Sequence, residues 1–142
     1  MKLIPIRHYE NSVRILWDLL EQRDPSQNIS HKEMPTREAH EHFCLFHPYA
    51  DWNIIDVDGK PTGAIYLSKA GSPSVPGNEI GIDLFREHQG KGYGTQAVKL
   101  LMEMHGPRRY CANTSPGNEA SQALFKSLGF RLVQHTYAKE VE

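Results

Sequence analysis

Nowhere among its 142 residues does the chain hold the roughly eighteen consecutive apolar residues that a membrane span requires. Its opening, MKLIPIRHYE, also lacks the long apolar core of a secretion signal, so a cytoplasmic protein with no membrane partner is expected. Cysteine is scarce. Cys44 and Cys111 are the 2 present, and without a secretion signal they are expected as reduced thiols rather than a disulfide. Positive charge has no excess either: Lys and Arg number 16 against 17 Asp and Glu, a formal net charge of -1, which leaves no global footprint for a nucleic-acid partner. The 8 histidines invite a metal, but neither HExxH nor CxxC spacing occurs, and His40 and His42, two apart, leave a helix in different directions. No metal site is expected. Internal repeats and low-complexity tracts are missing as well, and the length suits one domain over residues 1–142.

What is present is a succession of periodic segments. Residues 3–7 read as a first strand, and Val13, Leu16, Trp17 and Leu20 then recur at the spacing of one buried helical stripe that Arg23, Asp24 and Pro25 end. A second helix begins near Ser30 or Thr36, carries Ala39, Phe43 and Phe46 on one face, and stops at His47 before Pro48. From Asp51 the period changes. WNIIDVDGKPTGAIYLS holds two apolar runs about a turn at Asp58 and Gly59, the pattern of an antiparallel hairpin. The run EIGIDLF forms another strand, with Ile80, Ile82 and Leu84 on one face and Glu79, Gly81 and Asp83 on the other. Tyr93, Ala97, Leu100, Leu101 and Met104 mark a third helix, closed by His105, Gly106 and Pro107. Residues 109–113 follow as a short strand, residues 118–128 as a last helix with Gly129 and Phe130 past its end, and FRLVQHTYAKEVE as one more strand or a tight hairpin. The order is β, α, α, β, β, β, α, β, α, β, an α/β (α+β) arrangement.

The unusual stretch is HQGKGYGT, residues 88–95, where three alternate glycines stand between a strand and a helix. Glycines there remove Cβ atoms that would hold a ligand off the backbone, and they let successive N–H groups turn toward one point. The first amides of the helix have no carbonyl partners of their own, so their partial positive charge suits a phosphate, with Lys91 adding a full charge. A turn that serves only a tight connection is the alternative. A Walker loop is excluded because GxxxxGK with Ser or Thr does not occur, and a dinucleotide fingerprint does not fit because the motif follows a late strand in a mostly antiparallel run.

Gln89-Gly90-Lys91-Gly92-Tyr93-Gly94 resembles the Q/R-x-x-G-x-G/A loop of the GCN5-related N-acetyltransferases, which holds the pyrophosphate of acetyl-CoA. NEASQALFKSLGF, residues 118–130, is similar to the next motif of that family. The resemblance implies a central, mostly antiparallel mixed sheet of six to seven strands flanked by about four helices. It implies that acetyl-CoA enters between the strand of Leu84 and that of Cys111, with its pyrophosphate on Gln89, Gly90, Lys91, Gly92, Tyr93, Gly94 and Thr95 and its pantetheine arm beside Asp83, Leu84 and Phe85 as an added strand. Asn118 and Phe125 complete that set from the last helix. The N–H near Leu84 would polarise the thioester carbonyl.

A neutral primary amine then attacks directly, so a base must take its proton. Glu79 leads, Asp83 shares its face, and His31 on the loop between the early helices is a third acceptor-side residue; the alternative for each is an ordinary solvated side chain. Phe125 stands where many relatives carry a Tyr able to reprotonate the departing thiolate, so that role is empty or filled elsewhere. Cys111 reads as a small buried hydrophobe, not a nucleophile. The expectation is transfer to a small amine, amino sugars slightly favoured, with a protein N-terminus or lysine as an alternative acceptor and a non-catalytic acyl-CoA sensor as the other class. Few residues follow Gly129, so one wall of the acceptor site is shortened or completed by a second subunit, in a homodimer.

Overall fold

The chain is described by a computed structural model covering residues 1–23, 34–69, 71 and 75–142. One sheet runs β1 (Lys2–Pro5), β2 (Tyr49–Val57), β3 (Lys60–Ser68), β4 (Asn78–Leu84), β5 (Tyr110–Cys111) in that spatial order. The first four strands pair antiparallel, and β5 pairs parallel to β4 after the crossover through α3 (Tyr93–His105). Helices α1 (Ser12–Glu21) and α2 (Arg37–Leu45) follow β1, and α4 (Glu119–Ser127) follows β5.

The hairpin forms where expected. Asp58 and Gly59 both take positive φ, 54° and 81°, and the Asp56 carboxylate accepts from the Gly59 N–H at 2.9 Å, which fixes the two-residue reversal between Val57 and Lys60. The sheet separates two cores. On one face Ile55, Ile65, Leu67 and Ile80 pack with Ala97, Val98 and Leu101 of α3 and Phe125 of α4. On the other, Ile54 and Ala64 pack with Leu16 and Leu19 of α1 and Cys44 of α2. The alternation along β4 therefore points Ile80, Ile82 and Leu84 toward α3 and Glu79, Gly81 and Asp83 toward the α1 side, as read from the sequence.

Several expectations are corrected. The first strand ends at Pro5, which has no N–H for the ladder, and Ile6–His8 turns into a 3-10 helix. The second helix starts after Thr36, whose Oγ1 accepts from the Ala39 N–H at 3.1 Å. Its buried face is not Ala39, Phe43 and Phe46. Those are exposed, Phe46 to 70%, while His40 and Cys44, one turn apart, face α1. His40 Nε2 donates to the Val13 carbonyl at 2.8 Å and its ring meets Trp17 edge-on, so a polar clasp holds α2 where aromatic packing was expected.

The sheet has five strands among the described residues, not six to seven, and FRLVQHTYAKEVE forms no strand. Phe130 still packs on Phe125, with ring centroids 5.1 Å apart, but everything after it is exposed, Tyr137 to 90%. The neighbour it would need is too short. β5 pairs at two positions only, Tyr110 and Cys111, where residues 109–113 were expected, and an edge of that length offers little ladder to a further strand.

Candidate active site

Strand β4 runs straight into the glycine stretch. After Phe85 and the 3-10 turn Arg86–His88, Gly90 and Gly92 adopt φ of 76° and 82°, and Gly92 caps α3. No heavy atom lies within 4 Å of where a Cβ would stand on either residue, so what both positions need is the left-handed backbone, in open space. The first helical bond runs from the Gln96 N–H to the Gly92 carbonyl at 3.1 Å. The amides of Tyr93, Gly94 and Thr95 therefore precede any intrahelical acceptor and carry the unscreened positive end of α3, with exposed Lys91 beside them. Gly94 has a different purpose. It is buried, and a Cβ there would lie 2.5 Å from Leu124 Cδ1 of α4, so this glycine admits the last helix.

The second component is the edge of β4. The Asn78 N–H donates toward β5, to the Arg109 carbonyl, whereas the Phe85 N–H donates toward β3, to the Thr62 carbonyl. Alternation thus turns the main chain of Leu84 and Arg86 away from β3, toward the side where β5 has already parted from β4 after Cys111. Leu84 has its side chain in the α3 core and its peptide on this edge, while Phe85 packs on the α1 side. Asn118 caps α4, its Oδ1 accepting from the Ser121 N–H at 3.1 Å. Phe125 is 7% exposed and sits in the apolar core.

The third component is the face toward α1. Tyr66 lies flat across Gly81, whose Cβ would be 2.0 Å from its ring, and stacks on Tyr49 with centroids 4.0 Å apart. Its hydroxyl donates to Glu79 Oε1 at 2.9 Å, and the Asn113 amide donates to Glu79 Oε2. Burial, then the Glu79 charge, raises the Tyr66 pKa far above its ordinary value, so the phenol keeps its proton. Tyr49 is raised for the same two reasons. Asp83 accepts from Arg23 Nε at 2.8 Å; burial raises its pKa and the guanidinium opposes that rise. Cys111 is raised by burial and by Glu79, which keeps it a thiol. Trp52, Phe43 and His47 extend the aromatic wall behind Tyr49.

Glu79 and Asp83 thus share a face with the partners that hold them, whereas His31 lies outside the described residues. Tyr49, Tyr66, Arg23 and Asn113 escaped the sequence reading. One signal was available: a lone glycine within EIGID implies close approach of another group, and that group is Tyr66. Among the described residues no cluster of three or more His, Cys, Asp or Glu could hold a metal, and no helix is long and apolar enough to cross a membrane. A concavity of about 780 Å³ is lined by Tyr9, Arg14, Asp18 and Pro61, among others, and shares no residue with this site.

Free amides ahead of a helix, a strand edge that no further strand covers and an acidic, aromatic face beside it lie next to one another along β4 and α3. Residues 10–131 match the model of the acetyltransferase (GNAT) domain, and the chain belongs to that family. It is an acyl-CoA-dependent acetyltransferase with acetyl-CoA as co-substrate. No curated protein matches it in sequence. Its fold is similar to that of a domain from Methanocaldococcus jannaschii DSM 2661, with TM-score 0.75 at 21% identity over 95% of this chain and 92% of that one. Spermidine N-acetyltransferase from Vibrio cholerae, solved with CoA and spermine, superposes with TM-score 0.74 at 16% identity, over 94% and 82% of the two chains. An aminoglycoside 6'-N-acetyltransferase from Acinetobacter haemolyticus does so with TM-score 0.65 at 16% identity, over the full length of both.

Proposed function

We propose that the chain, as a single cytoplasmic catalytic domain, moves the acetyl group of acetyl-CoA to a primary amine of a small molecule by direct attack in a ternary complex. The observation that carries this reading is the continuity of the site. The amides of residues 93–95, the Leu84 edge and the Glu79 face follow one another along β4 and α3. In this reading the pyrophosphate rests on the Gly90 to Thr95 backbone with Lys91 and Gln89, and the pantetheine arm runs along Asp83 to Phe85 with Asn118 beside it.

The amine approaches from the α1 side, over Tyr49 and Tyr66. Its nitrogen bonds to the acetyl carbon while the carbonyl oxygen, gaining charge, is met by the Leu84 N–H. Glu79 receives the proton that the amine sheds; Tyr66 and Asn113 fix the orientation of that carboxylate. As the C–S bond breaks, the electron pair stays on sulfur, and solvent protonates the thiolate because Phe125 has no proton to give. Asp83 is committed to Arg23 and contributes charge balance at the acceptor entrance. The aromatic wall and two carboxylates favour cationic amines, polyamines and amino sugars alike, over an extended protein segment.

Purified protein mixed with acetyl-CoA and a broad panel of amines, followed by mass detection of products, tests this reading. An acetylated product with equimolar CoA is expected. The buried phenyl ring at Phe125 favours a second reading, a sensor that binds acyl-CoA without turnover. Calorimetric binding of acetyl-CoA with no product from any amine would select it.

A further inference from the structure

The end of α1 is fastened to β4 by one side chain that imitates a strand. Gln22, the residue that ends α1, donates from Nε2 to the Leu84 carbonyl at 2.8 Å, while its Oε1 accepts from the Arg86 N–H at 3.2 Å. A carboxamide that spans the carbonyl of one residue and the amide of the second residue on makes the same pair of bonds as the N–H and C=O of one residue in an adjoining parallel strand. The Gln89 amide adds a second donor to the Leu84 carbonyl at 3.1 Å. Arg86 Nη2 donates to the Gln22 carbonyl at 2.8 Å, and the neighbouring Arg23 holds Asp83.

We propose that Gln22 is an intramolecular stand-in for the pantetheine amides, holding the β4 edge in register and yielding it when the cofactor arm arrives. The proposal rests on the reading that this edge takes the pantetheine arm. A chain of amides paired along Leu84 and Arg86 needs the two main-chain groups that Gln22 holds, and a carbonyl already serving Gln22 and Gln89 has no lone pair left for a third donor. Binding is thus an exchange of hydrogen-bond partners on these two groups, and its net gain is smaller than the same bonds made to a bare edge. Once Gln22 lets go, the Arg23–Asp83 pair and the Arg86 guanidinium on the Gln22 carbonyl still tie the end of α1 to β4.

The test is calorimetry of the full chain with two probes: CoA, which carries the pantetheine arm, and adenosine 3',5'-bisphosphate, which does not. Gln22→Ala should bind CoA about three- to tenfold more tightly than the parent, the factor of one relieved hydrogen-bond competition, with unchanged affinity for the bisphosphate. Gln22→Met, which keeps the stem and removes the amide, should behave alike and guards against a folding defect in the alanine variant. Equal or weaker CoA binding by both variants overturns the proposal, as does an equal gain for both probes. If the parent protein binds neither probe, the cofactor reading itself fails, an outcome distinct from a parent that binds CoA and a variant that does not improve.

Discussion

The two faces of the sheet are held by different physics. The α3 face is apolar and closely fitted: Ile55, Ile65, Ala97, Val98 and Leu101 are fully buried, and Gly94 is present because Leu124 leaves no room for a Cβ. The α1 face is part polar, with Tyr66 over Gly81, Glu79 between two donors, Asp83 on Arg23, and His40 clasping α1. Dense apolar packing fixes the cradle of α3 against β4 at no polar cost, whereas hydrogen-bonded pairs on the other face can exchange partners with a substrate. The proposed function assigns the rigid side to the constant ligand and the exchangeable side to the acceptor.

Substitutions that sharpen this contrast begin with Gly94→Val. Its branches would collide with the Leu124 side chain, so a loss of about 1–3 kcal/mol is expected in denaturant unfolding. On the α1 face, Glu79→Gln should lower kcat about 100-fold below neutral pH, where the acceptor amine is mostly protonated, with the deficit shrinking as pH rises. A flat ratio of variant to parent rates across pH would remove Glu79 from the role of base.

Arg23→Ala should cost about 2 kcal/mol near neutral pH by leaving the Asp83 carboxylate without its donor. Its pH dependence has a definite sign. The native pKa of Asp83 lies above the ordinary 3.8, so between the two values the native state keeps a proton that the unfolded chain has released. Stability therefore falls as pH rises through that window, and removing Arg23 widens it, so the variant should recover toward the parent on acidification. Thermal melts over a pH series measure this.

Gly92→Val places a branched residue at a φ of 82° in open space. The backbone strain is about 1–2 kcal/mol, and the KM for acetyl-CoA should rise about tenfold with kcat little changed. The smallest effect is at His47. Burial and then Lys69 hold its pKa below the ordinary 6.5, against the opposing Asp51 charge, so on acidification the unfolded chain takes a proton first. Stability falls as pH drops through that window, and His47→Phe should flatten that part of the melting profile.

The stretches most legible in the sequence were those whose periodicity and turn chemistry agree. The Asp58–Gly59 reversal, the alternation of EIGIDLF and the strand-to-helix glycines all took their expected conformations. Helix α2 misled because its most apolar residues, Phe43 and Phe46, are exposed, and burial fell to His40, which finds a carbonyl on another helix. The last segment misled for a related reason: its composition permits a strand, but β5 is two residues long and gives it no partner. Placement of the glycine loop ahead of α3 needed only local signals, whereas the residues that hold Glu79 lie 13 and 34 positions away from it along the chain.

Local sequence determined where this backbone turns, where it carries free amides, and which β4 side chains share a face, because those follow from steric limits on neighbouring residues. Only the tertiary structure decided that Tyr66 crosses Gly81, that Arg23 meets Asp83 and that Gln22 reaches the β4 edge. Such contacts join residues far apart in the chain, and their geometry is set by how helices dock on a twisted sheet, which periodicity within a single segment does not specify.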